Sequence, residues 1–397
     1  MKVLMVGQLP KEIGGNYTTG AANVVFELSK KKNANLLCYT YGTNIRAIEA
    51  KRHSSYEGQY IGYRNWFSIL STLCDWIISP LKTYKQWKHY MKVDHENPFR
   101  YASYKSNIES AIKKVSPDII HVHNIGNLSP TRFACGKKNI PILLTCHGIF
   151  YRGEKQDTIN RDKYLGNIGM ADAYSGLTLE SLNEYQNYLN ISKNRVTVIP
   201  NGVDCEKFYY DKNQRDKIRN QYAVPDNTIV FITVASVQER KGQYRFVQFL
   251  SKLQNVDFQY WIIGDGADVE RIKNYIRDNQ MEDKVKLMGF HASKELYAFY
   301  SASDIYAHVS TQEGQALCEI EASATGLKCL VSEEIVGTIP DLSSGDYHIV
   351  DFESPDYEKL MSWLSKKTEN RMSLKTLDWG NISLRYASLY QSILKKC

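Results

Sequence analysis

The sequence predicts an α/β protein built from two doubly wound domains, each a parallel sheet with helices on both faces. Short apolar runs, among them KVLMV, DIIHVHN, IVFITVA and IYAHVS, alternate with amphipathic stretches along the whole chain. Strands that alternate with helices favour this architecture. The alternation pauses at residues 199–208, IPNGVDCEKF, where proline, asparagine and glycine favour a turn. A chain of 397 residues also exceeds one core of ordinary size.

These observations predict one domain at residues 1–200 and a second at residues 201–380, joined at the turn. We expect a cleft between the two, lined by the carboxyl ends of both sheets. Hydrophobic residues make up 43% of the chain and charged residues 23%, as in soluble globular proteins. No run approaches the ~18 apolar residues of a membrane span, and MKVLMVGQLP is typical of a buried strand, so the expected location is the cytoplasm.

The charge and the cysteines narrow the possible partners. A net charge of +7 suits an anionic membrane surface, a phosphorylated ligand or nucleic acid. No nucleic-acid-binding module accompanies it, so no nucleic-acid partner is expected. The eight cysteines include no C-x-x-C pair and no cluster at zinc spacing, so neither a disulfide frame nor a metal site is expected.

The first strand runs into a glycine loop that begins at Gly14 and Gly15 and precedes the helical stretch NVVFELSKK. Glycines let a backbone pass close to a ligand, and a helix start offers amide groups to a phosphate. The alternative is a flexible loop with a helix start at Gly20.

The segment at residues 66–92 differs from the rest of the first domain. Apolar residues recur at helical spacing from Trp66 to Ile77, and lysines interleaved with Tyr84, Trp87 and Tyr90 follow. Aromatic residues beside lysines are typical of a bilayer interface, which predicts peripheral membrane contact. The alternative is a core-facing helix with a solvated continuation.

Strand ends supply the remaining candidates of the first domain. His147 follows the strand ILLTC, where its imidazole would point into the cleft and could donate to a hydroxyl or a phosphate oxygen. A structural histidine is the alternative. His121 and His123 lie on the strand DIIHVHN nearby, without a predicted catalytic role.

In the second domain, Arg240, Lys241 and Gly242 precede a helix, where cations oppose the helix dipole and therefore favour a bound anion; a solvated loop is the alternative. Glu313 and Glu321, eight positions apart in the sequence, bracket a strand-to-helix junction that can hold a sugar and a ribose around one anion site.

A dinucleotide fingerprint is absent: Gly264-Asp265-Gly266 lacks the third glycine of G-x-G-x-x-G. No cofactor is expected.

These motifs resemble those of the retaining glycosyltransferases of family 4, in order and spacing, over nearly the whole chain. The matching segments are the glycine loop, SPDIIHVHN, LTCHG, VIPNGVDCEKF, RKG, IIGDG, VKLMGF, SASDIYAHVS and EGQALCEIEA. The resemblance implies the GT-B fold, two Rossmann-like domains facing across a cleft. It also implies that the first domain is on the acceptor side, that the second binds the nucleotide sugar, and that a final helix at about 381–397 crosses back to the first.

The resemblance further implies retaining transfer from a nucleotide sugar, with a uridine diphosphate sugar as the expected donor. Glu313 would contact donor-sugar hydroxyls, Glu321 the ribose and Lys241 the diphosphate, while His147 would lie near the sugar and the leaving phosphate. The implied catalytic residues are therefore His147, Lys241 and Glu313. The implied donor-binding residues are these last two with Gly14, Gly15, Arg240, Gly289, Phe290, Gly314, Ala316, Leu317 and Glu321.

Two positions depart from the family pattern. The arginine expected five residues before the lysine is Ser236, so one diphosphate cation is missing unless Arg240 supplies it. The usual E-G-F-G-L is Glu313-Gly314-Gln315-Ala316-Leu317, which makes the donor-side wall more polar. Glu319 lies two helix positions from Glu321 and is expected to face elsewhere.

The expected reaction needs no metal, because the two cations and the helix amides would stabilise the departing diphosphate. A basic, tryptophan-rich first domain favours a lipid-linked or glycan acceptor, as in surface polysaccharide synthesis. The alternatives are a non-catalytic subunit that binds a sugar nucleotide, or another GT-B enzyme such as a nucleotide-sugar epimerase. Thermal protection by a panel of nucleotide sugars discriminates among donors.

Overall fold

The computed structural model describes residues 1–15, 20–30, 36–55, 58–148, 158–253, 256–338, 347–365 and 375–396. The chain divides into two compact units. The N-terminal unit comprises Met1–Asn201 and Trp379–Cys397, and the C-terminal unit comprises Gly202–Asp378.

The N-terminal unit contains a parallel sheet of seven strands within the described residues. The strands are β1 (Lys2–Gly7), β2 (Leu37–Arg46), β3 (Gln59–Tyr63), β4 (Ile119–His123), β5 (Ile142–Thr145), β6 (Ala173–Gly176) and β7 (Val196–Val198). Their spatial order is β3-β2-β1-β4-β5-β6-β7. Every described pairing is parallel, so the carboxyl ends of these strands meet along one edge.

Helices connect and cover these strands. They are α1 (Gly20–Lys30), α2 (Ala47–Ser54), α3 (Asn65–Ile78), α4 (Pro80–Lys92), α5 (Pro98–Val115), α6 (Leu128–Cys135), α7 (Thr158–Asn167) and α8 (Leu179–Asn187), with α15 (Trp379–Leu394) at the end of the chain. Local chemistry sets several starts: Asn97 accepts hydrogen bonds from the amides of Phe99 and Arg100, and Pro98 occupies the first turn of α5.

The C-terminal unit repeats the architecture with six parallel strands among its described residues. The strands are β8 (Ile229–Val234), β9 (Phe258–Ile263), β10 (Val285–Gly289), β11 (Ile305–His308), β12 (Lys328–Ser332) and β13 (Tyr347–Val350), in the order β10-β9-β8-β11-β12-β13. The helices are α9 (Lys212–Gln221), α10 (Gln243–Leu250), α11 (Val269–Asp278), α12 (Leu296–Ala302), α13 (Leu317–Ala324) and α14 (Tyr357–Ser365). The predicted class of two parallel-sheet α/β domains is confirmed.

Both cores are built from the apolar strands, which explains why continuous apolar runs mark them in the sequence. The central strands β1, β4 and β8 are buried almost throughout, as parallel strands covered on both faces must be. Each sheet has its own cluster of buried side chains. The two units therefore each have a core of their own.

The predicted glycine loop is described only in part, because residues 16–19 lie outside the described residues. Gly14 ends a short 3-10 turn with φ 87°, and Gly15 packs so closely on its own chain that a Cβ there would lie 1.9 Å from the Leu9 carbonyl oxygen. The tight turn thus explains both glycines, and any contact with a ligand stays a prediction.

The structure of residues 66–92 differs from the alternative prediction of a core-facing helix with a solvated continuation. Two helices, α3 and α4, replace one continuous helix, because the chain breaks at Ser79 before Pro80. The alternative of a core-facing apolar helix is wrong: Trp66 is 82% exposed and Ile77 is 81% exposed, whereas the buried residues of α3 are Ser68 and Thr72. In the described part of the chain, no helix has the length and apolar character needed to cross a membrane.

Candidate functional site

The candidate site of the C-terminal unit centres on Glu313, in the loop between β11 and α13. Its side chain is only 8% exposed. One carboxylate oxygen accepts hydrogen bonds from the Lys241 ammonium and from the Ser310 hydroxyl, the latter at 2.7 Å. The other oxygen lies 3.5 Å from the Arg240 guanidinium. A carboxylate with two cations thus lies in the loop that follows β11.

The backbone holds these side chains together across a long stretch of sequence. The Thr311 amide donates to the Arg240 carbonyl at 2.9 Å, which ties the β11 loop to the turn before α10. Gly242 has φ 74°, and a Cβ at this position would lie 1.9 Å from the Val309 carbonyl oxygen. Only glycine allows this close approach. The glycine of Arg240-Lys241-Gly242 therefore has a structural role that places the two cations.

Charge interactions govern the protonation of this cluster. Burial by itself would raise the pKa of Glu313, but Lys241 and the hydrogen bonds outweigh it and hold that pKa below its ordinary value. Glu313 is therefore an anion at neutral pH. His308, at the end of β11, has its pKa lowered to about 4, chiefly by burial, and is neutral.

His308 is a site residue that the sequence reasoning missed. Neither of its ring nitrogens has a hydrogen-bond partner among the described residues, although the side chain is buried. Its position at the carboxyl end of β11, four residues after Asp304, was visible in the segment DIYAHVS. A neutral imidazole beside Glu313 and Lys241 can donate to or accept from a ligand.

Helix α13 carries two further glutamates, whose side chains have different hydrogen-bond partners. Glu321 accepts a hydrogen bond from the Tyr300 hydroxyl at 3.2 Å. Glu319 faces a different environment, as expected from their helical spacing, and accepts from the hydroxyls of Tyr347 at 2.9 Å and Ser323 at 3.2 Å. Burial raises the pKa of Glu319 to about 7.

The start of α13 lies between Glu313 and Glu321. Ala316 is its N-cap residue and makes no side-chain capping bond, so Leu317 and its successors begin the helix without one. A helix start of this kind offers amide groups to an anion. Gly314, Ala316 and Leu317 belong to this junction.

The edge formed by β9 and β10 carries the other predicted donor-binding residues. The Gly264 amide donates to the Gly289 carbonyl at 2.8 Å, and the adjacent Phe290 is 75% exposed. An exposed aromatic ring at the carboxyl end of a parallel strand is available for stacking on a planar ligand. No described contact joins Phe290 to the Glu313 cluster.

Ser236 stands where the family pattern has an arginine, and Arg240 is the cation that could replace that arginine. Ser236 is exposed and its hydroxyl accepts a hydrogen bond from the Gln238 side-chain amide at 3.0 Å. Arg240, in contrast, donates to the Gln312 carbonyl and lies beside Glu313. Arg240 therefore gives the cluster a second positive charge, although Ser236 has none.

His147 lies in the N-terminal unit, where three histidines lie close together. Its Nε2 is 3.0 Å from Nδ1 of His123, and the two rings stack. His121 bridges the Tyr390 hydroxyl and the Thr145 hydroxyl, each at 2.7 Å. Burial lowers the pKa of His147 to about 4 and that of His121 to about 3, so both are neutral at pH 7.

A polar cavity of about 520 Å³ opens at the carboxyl edge of the same sheet. The ends of β1 to β4 and the start of α5 line it, with Thr43, Asn44, Tyr63, Arg100, Asn124 and Lys163 among the lining residues. Amides and hydroxyls form hydrogen bonds with sugar hydroxyls, and aromatic rings stack on the apolar faces of sugar rings. Sequence reasoning missed this cavity because its residues come from six separate segments of the chain.

Comparisons with known proteins identify relatives of this chain by sequence and by fold. Residues 214–376 match the family model described as glycosyl transferases group 1, and residues 87–207 match the one described as glycosyltransferase family 4. The chain is 25% identical over 280 residues to the UDP-Gal:alpha-D-GlcNAc-diphosphoundecaprenol alpha-1,3-galactosyltransferase of Escherichia coli, covering 66% of this chain and 72% of that protein.

Two solved structures share the fold along the full length. A glycosyltransferase from Rickettsia africae ESF-5 superposes with a TM-score of 0.73 at 18% identity and covers 100% of this chain and 99% of its own. Anabaena Alr3699/HepE, solved in complex with UDP, superposes with a TM-score of 0.67 at 16% identity and covers 100% and 98%.

Proposed function

The chain belongs to glycosyltransferase family 4, with the GT-B fold, and we propose that it moves a sugar from a nucleoside diphosphate to a hydroxyl of a glycan or lipid-linked acceptor. One observation carries the proposal: the buried carboxylate of Glu313, just before α13, pairs with both Lys241 and Arg240. A diphosphate sugar offers an anion to the two cations and hydroxyl groups to the carboxylate.

The donor contacts follow from the chemistry of each group. Lys241, Arg240 and the amides at Ala316 and Leu317 would hold the diphosphate, and Glu313 would accept from hydroxyls of the sugar. Glu321 would accept from the ribose, and Gly289 with Phe290 would contact the base. A uridine nucleotide is the proposed donor, supported by the UDP complex of the Anabaena protein and by the UDP-Gal in the name of the E. coli relative.

The proposed transfer retains the anomeric configuration and uses no metal. The acceptor oxygen forms a bond to the anomeric carbon on the face from which the diphosphate departs, while the bond between that carbon and the phosphate oxygen breaks. A phosphate oxygen of the departing diphosphate takes the acceptor proton. Lys241 and Arg240 stabilise the charge that develops on the diphosphate, which is where preorganised cations lower a barrier most.

His147 would donate a hydrogen bond near the sugar or the phosphate, because its neutral ring keeps one N–H. With its Nε2 accepting from Nδ1 of His123, the N–H of His147 would be at Nδ1 and would face the ligand. Gly14 and Gly15 would lie near the acceptor or the phosphate. The roles of His147 and of the two glycines follow from the family pattern. Burial supports the role of His147, because it keeps the imidazole neutral.

The acceptor would bind the polar cavity of the N-terminal unit. The E. coli relative has a sugar on diphosphoundecaprenol as acceptor in its name, which supports a lipid-linked acceptor and a place in surface polysaccharide or glycolipid synthesis. We accordingly place the enzyme in the cytoplasm, at the inner face of the membrane, with residues 66–92 as its membrane contact.

A panel of nucleotide sugars tests the proposal directly. Each is measured for the rise in melting temperature that it causes and for hydrolysis or transfer of its sugar. Stabilisation by UDP sugars together with turnover supports the enzyme. Stabilisation without any turnover favours the non-catalytic sugar-nucleotide-binding subunit, and interconversion of the free donor favours an epimerase.

A further inference from the structure

Helix α3 packs with its polar side inward. Ser68 and Thr72 are its buried residues, and the Ser68 hydroxyl accepts from that of Ser103 on α5 at 2.7 Å. Farther along, Asp75 pairs with Lys105 of α5. These polar contacts decide which face of α3 meets the protein.

The opposite face of α3 and the start of α4 present large apolar side chains to solvent. They include Trp66 (82% exposed), Ile77 (81%), Leu81 (79%), Leu70, Leu73 and Ile78. An amphipathic helix of a globular protein ordinarily buries this face. A contiguous apolar patch on a surface marks a site of interaction. We name residues 65–92 the α3–α4 hairpin.

The hairpin is held rigidly on the protein. Trp76 of α3 and Trp87 of α4 pack edge to face with ring centroids 5.2 Å apart, and Trp87 packs in the same way on Phe99 at 4.6 Å. The Thr83 hydroxyl donates to the Asp75 carbonyl at 2.9 Å. The apolar patch is therefore a fixed surface and not a side of a loose loop.

The charge of the hairpin identifies its partner. Four exposed lysines lie on α4, at positions 82, 85, 88 and 92, and the hairpin has one acidic residue, Asp75, which is already paired. A second copy of this chain on the same face would bring two such lysine groups together, which like charges oppose. Anionic lipid headgroups complement the lysines, and acyl chains accept the apolar side chains.

We propose that the α3–α4 hairpin docks on the surface of an anionic lipid bilayer. The proposal deepens the proposed function, since it assigns the membrane surface on which a lipid-linked acceptor would be met. Asn65, the first residue of α3, lines the polar cavity, and so do Arg100, Ser103 and Tyr104 of α5, the helix on which α3 packs. An acceptor with its sugar in the cavity would thus have its lipid chain beside the hairpin.

Cosedimentation with vesicles tests the docking without any donor. Vesicles of phosphatidylcholine containing phosphatidylglycerol should bind the full chain, and vesicles of phosphatidylcholine alone should bind it much less. The triple variant Lys82→Gln, Lys85→Gln, Lys88→Gln should bind anionic vesicles about a hundredfold more weakly, as expected for three lysines near such a surface. The matched control changes Lys113, Lys212 and Lys273 to Gln, exposed lysines in other helices, and should bind as the wild type does.

A second variant addresses the apolar patch. Trp66→Ser, Ile77→Ser and Leu81→Ser together should reduce binding at least about tenfold, because burial of each side chain contributes to interfacial affinity. Its control changes Ile48, Leu179 and Leu384 to Ser, which are exposed apolar residues elsewhere. Stabilisation by UDP should remain unchanged in all four variants, which shows that they fold and separates docking from donor binding.

A third measurement needs no variant. Vesicles with brominated acyl chains should quench tryptophan fluorescence of the wild type. Three outcomes would overturn the proposal: no vesicle binding by the wild type, equal binding to the anionic and neutral vesicles, or equal binding by the wild type and the two triple variants of the hairpin. A concentration-dependent dimer that the triple variant of Trp66, Ile77 and Leu81 abolishes would assign the surface to a second copy instead.

Discussion

At the residue scale, the buried carboxylate of Glu313 exists only because two cations accompany it. Taking a carboxylate out of water is costly, and Lys241 with Arg240 offsets that cost. The same three groups would then meet the donor, so stability and function share one set of contacts. A substitution in the cluster therefore changes both.

Replacing Lys241 by Ala should lower kcat/KM by roughly a hundredfold or more, because the developing diphosphate charge loses its cation. The variant should also melt at a lower temperature, since Glu313 loses its ion pair. Lys273→Ala, which removes a lysine from an exposed pair in α11, is the control and should leave both quantities unchanged. Near-normal turnover by the Lys241 variant would sink the assignment.

Glu319 gives a prediction for pH. Burial raises its pKa in the folded protein from 4.5 to about 7. Between these values the folded chain keeps a proton that the unfolded chain has released, so this group's stabilising contribution is full below the lower value and is lost as pH rises to the upper one. Glu319→Gln keeps an acceptor for Tyr347 and Ser323 but cannot ionise.

The free energy of unfolding of Glu319→Gln relative to the wild type should therefore rise as pH increases from about 4.5 to about 7, by up to ~3 kcal/mol. Denaturant titrations of both proteins at several pH values measure this difference. Parallel pH dependence of the two proteins would show that Glu319 does not titrate in this range.

At the element scale, the sequence predicted where strands and helices lie more reliably than which way they face. Apolar runs and amphipathic periods are local signals, and β1, β4, β5, β8 and β11 lie where those signals placed them. The spacing in α3 is equally local, but it does not say whether the apolar side meets the core. Ser68, Thr72 and the pair of Asp75 with Lys105 decide that question through contacts with α5.

A substitution at Gly242 tests how closely the turn before α10 packs on the end of β11. Gly242→Ala should destabilise the protein by ~1–2 kcal/mol for its positive φ and by about 1–3 kcal/mol more for the clash with the Val309 carbonyl. Gly289→Ala is the control in the same unit: φ is 69° and a Cβ there meets open space, so only the first cost applies. Equal destabilisation of the two variants in denaturant titrations would contradict the close approach.

At the scale of the whole molecule, the last helix belongs to the unit in which the chain begins. Helix α15 buries Trp379, Ile382, Tyr386 and Tyr390 in the N-terminal unit, and the Tyr390 hydroxyl contacts His121 on β4. The core of that unit is therefore completed by residues more than 250 positions away from its central strand. The C-terminal unit is a single continuous segment, Gly202–Asp378.

Removing residues 379–397 should accordingly speed amide hydrogen exchange in β4 and β5, while β8 and β9 keep their protection. The reason is that only the N-terminal unit loses core side chains and the partner of a buried histidine. Tyr390→Phe in the full chain should show the same trend more weakly. Unchanged exchange in β4 and β5 after truncation would mean that α15 does not support this core.

The order of residues was enough to predict the α/β class and the family. Strand and helix periods are local signals, and the motifs lie at strand ends, where parallel sheets collect functional groups. The sequence also singled out Glu313, Lys241 and His147. Only the folded chain shows that Lys241 pairs with Glu313 beside His308, that His147 of the other unit stacks on His123, and that the apolar face of α3 points outward. Each of these depends on packing between segments far apart in the chain, and no local pattern encodes which faces meet.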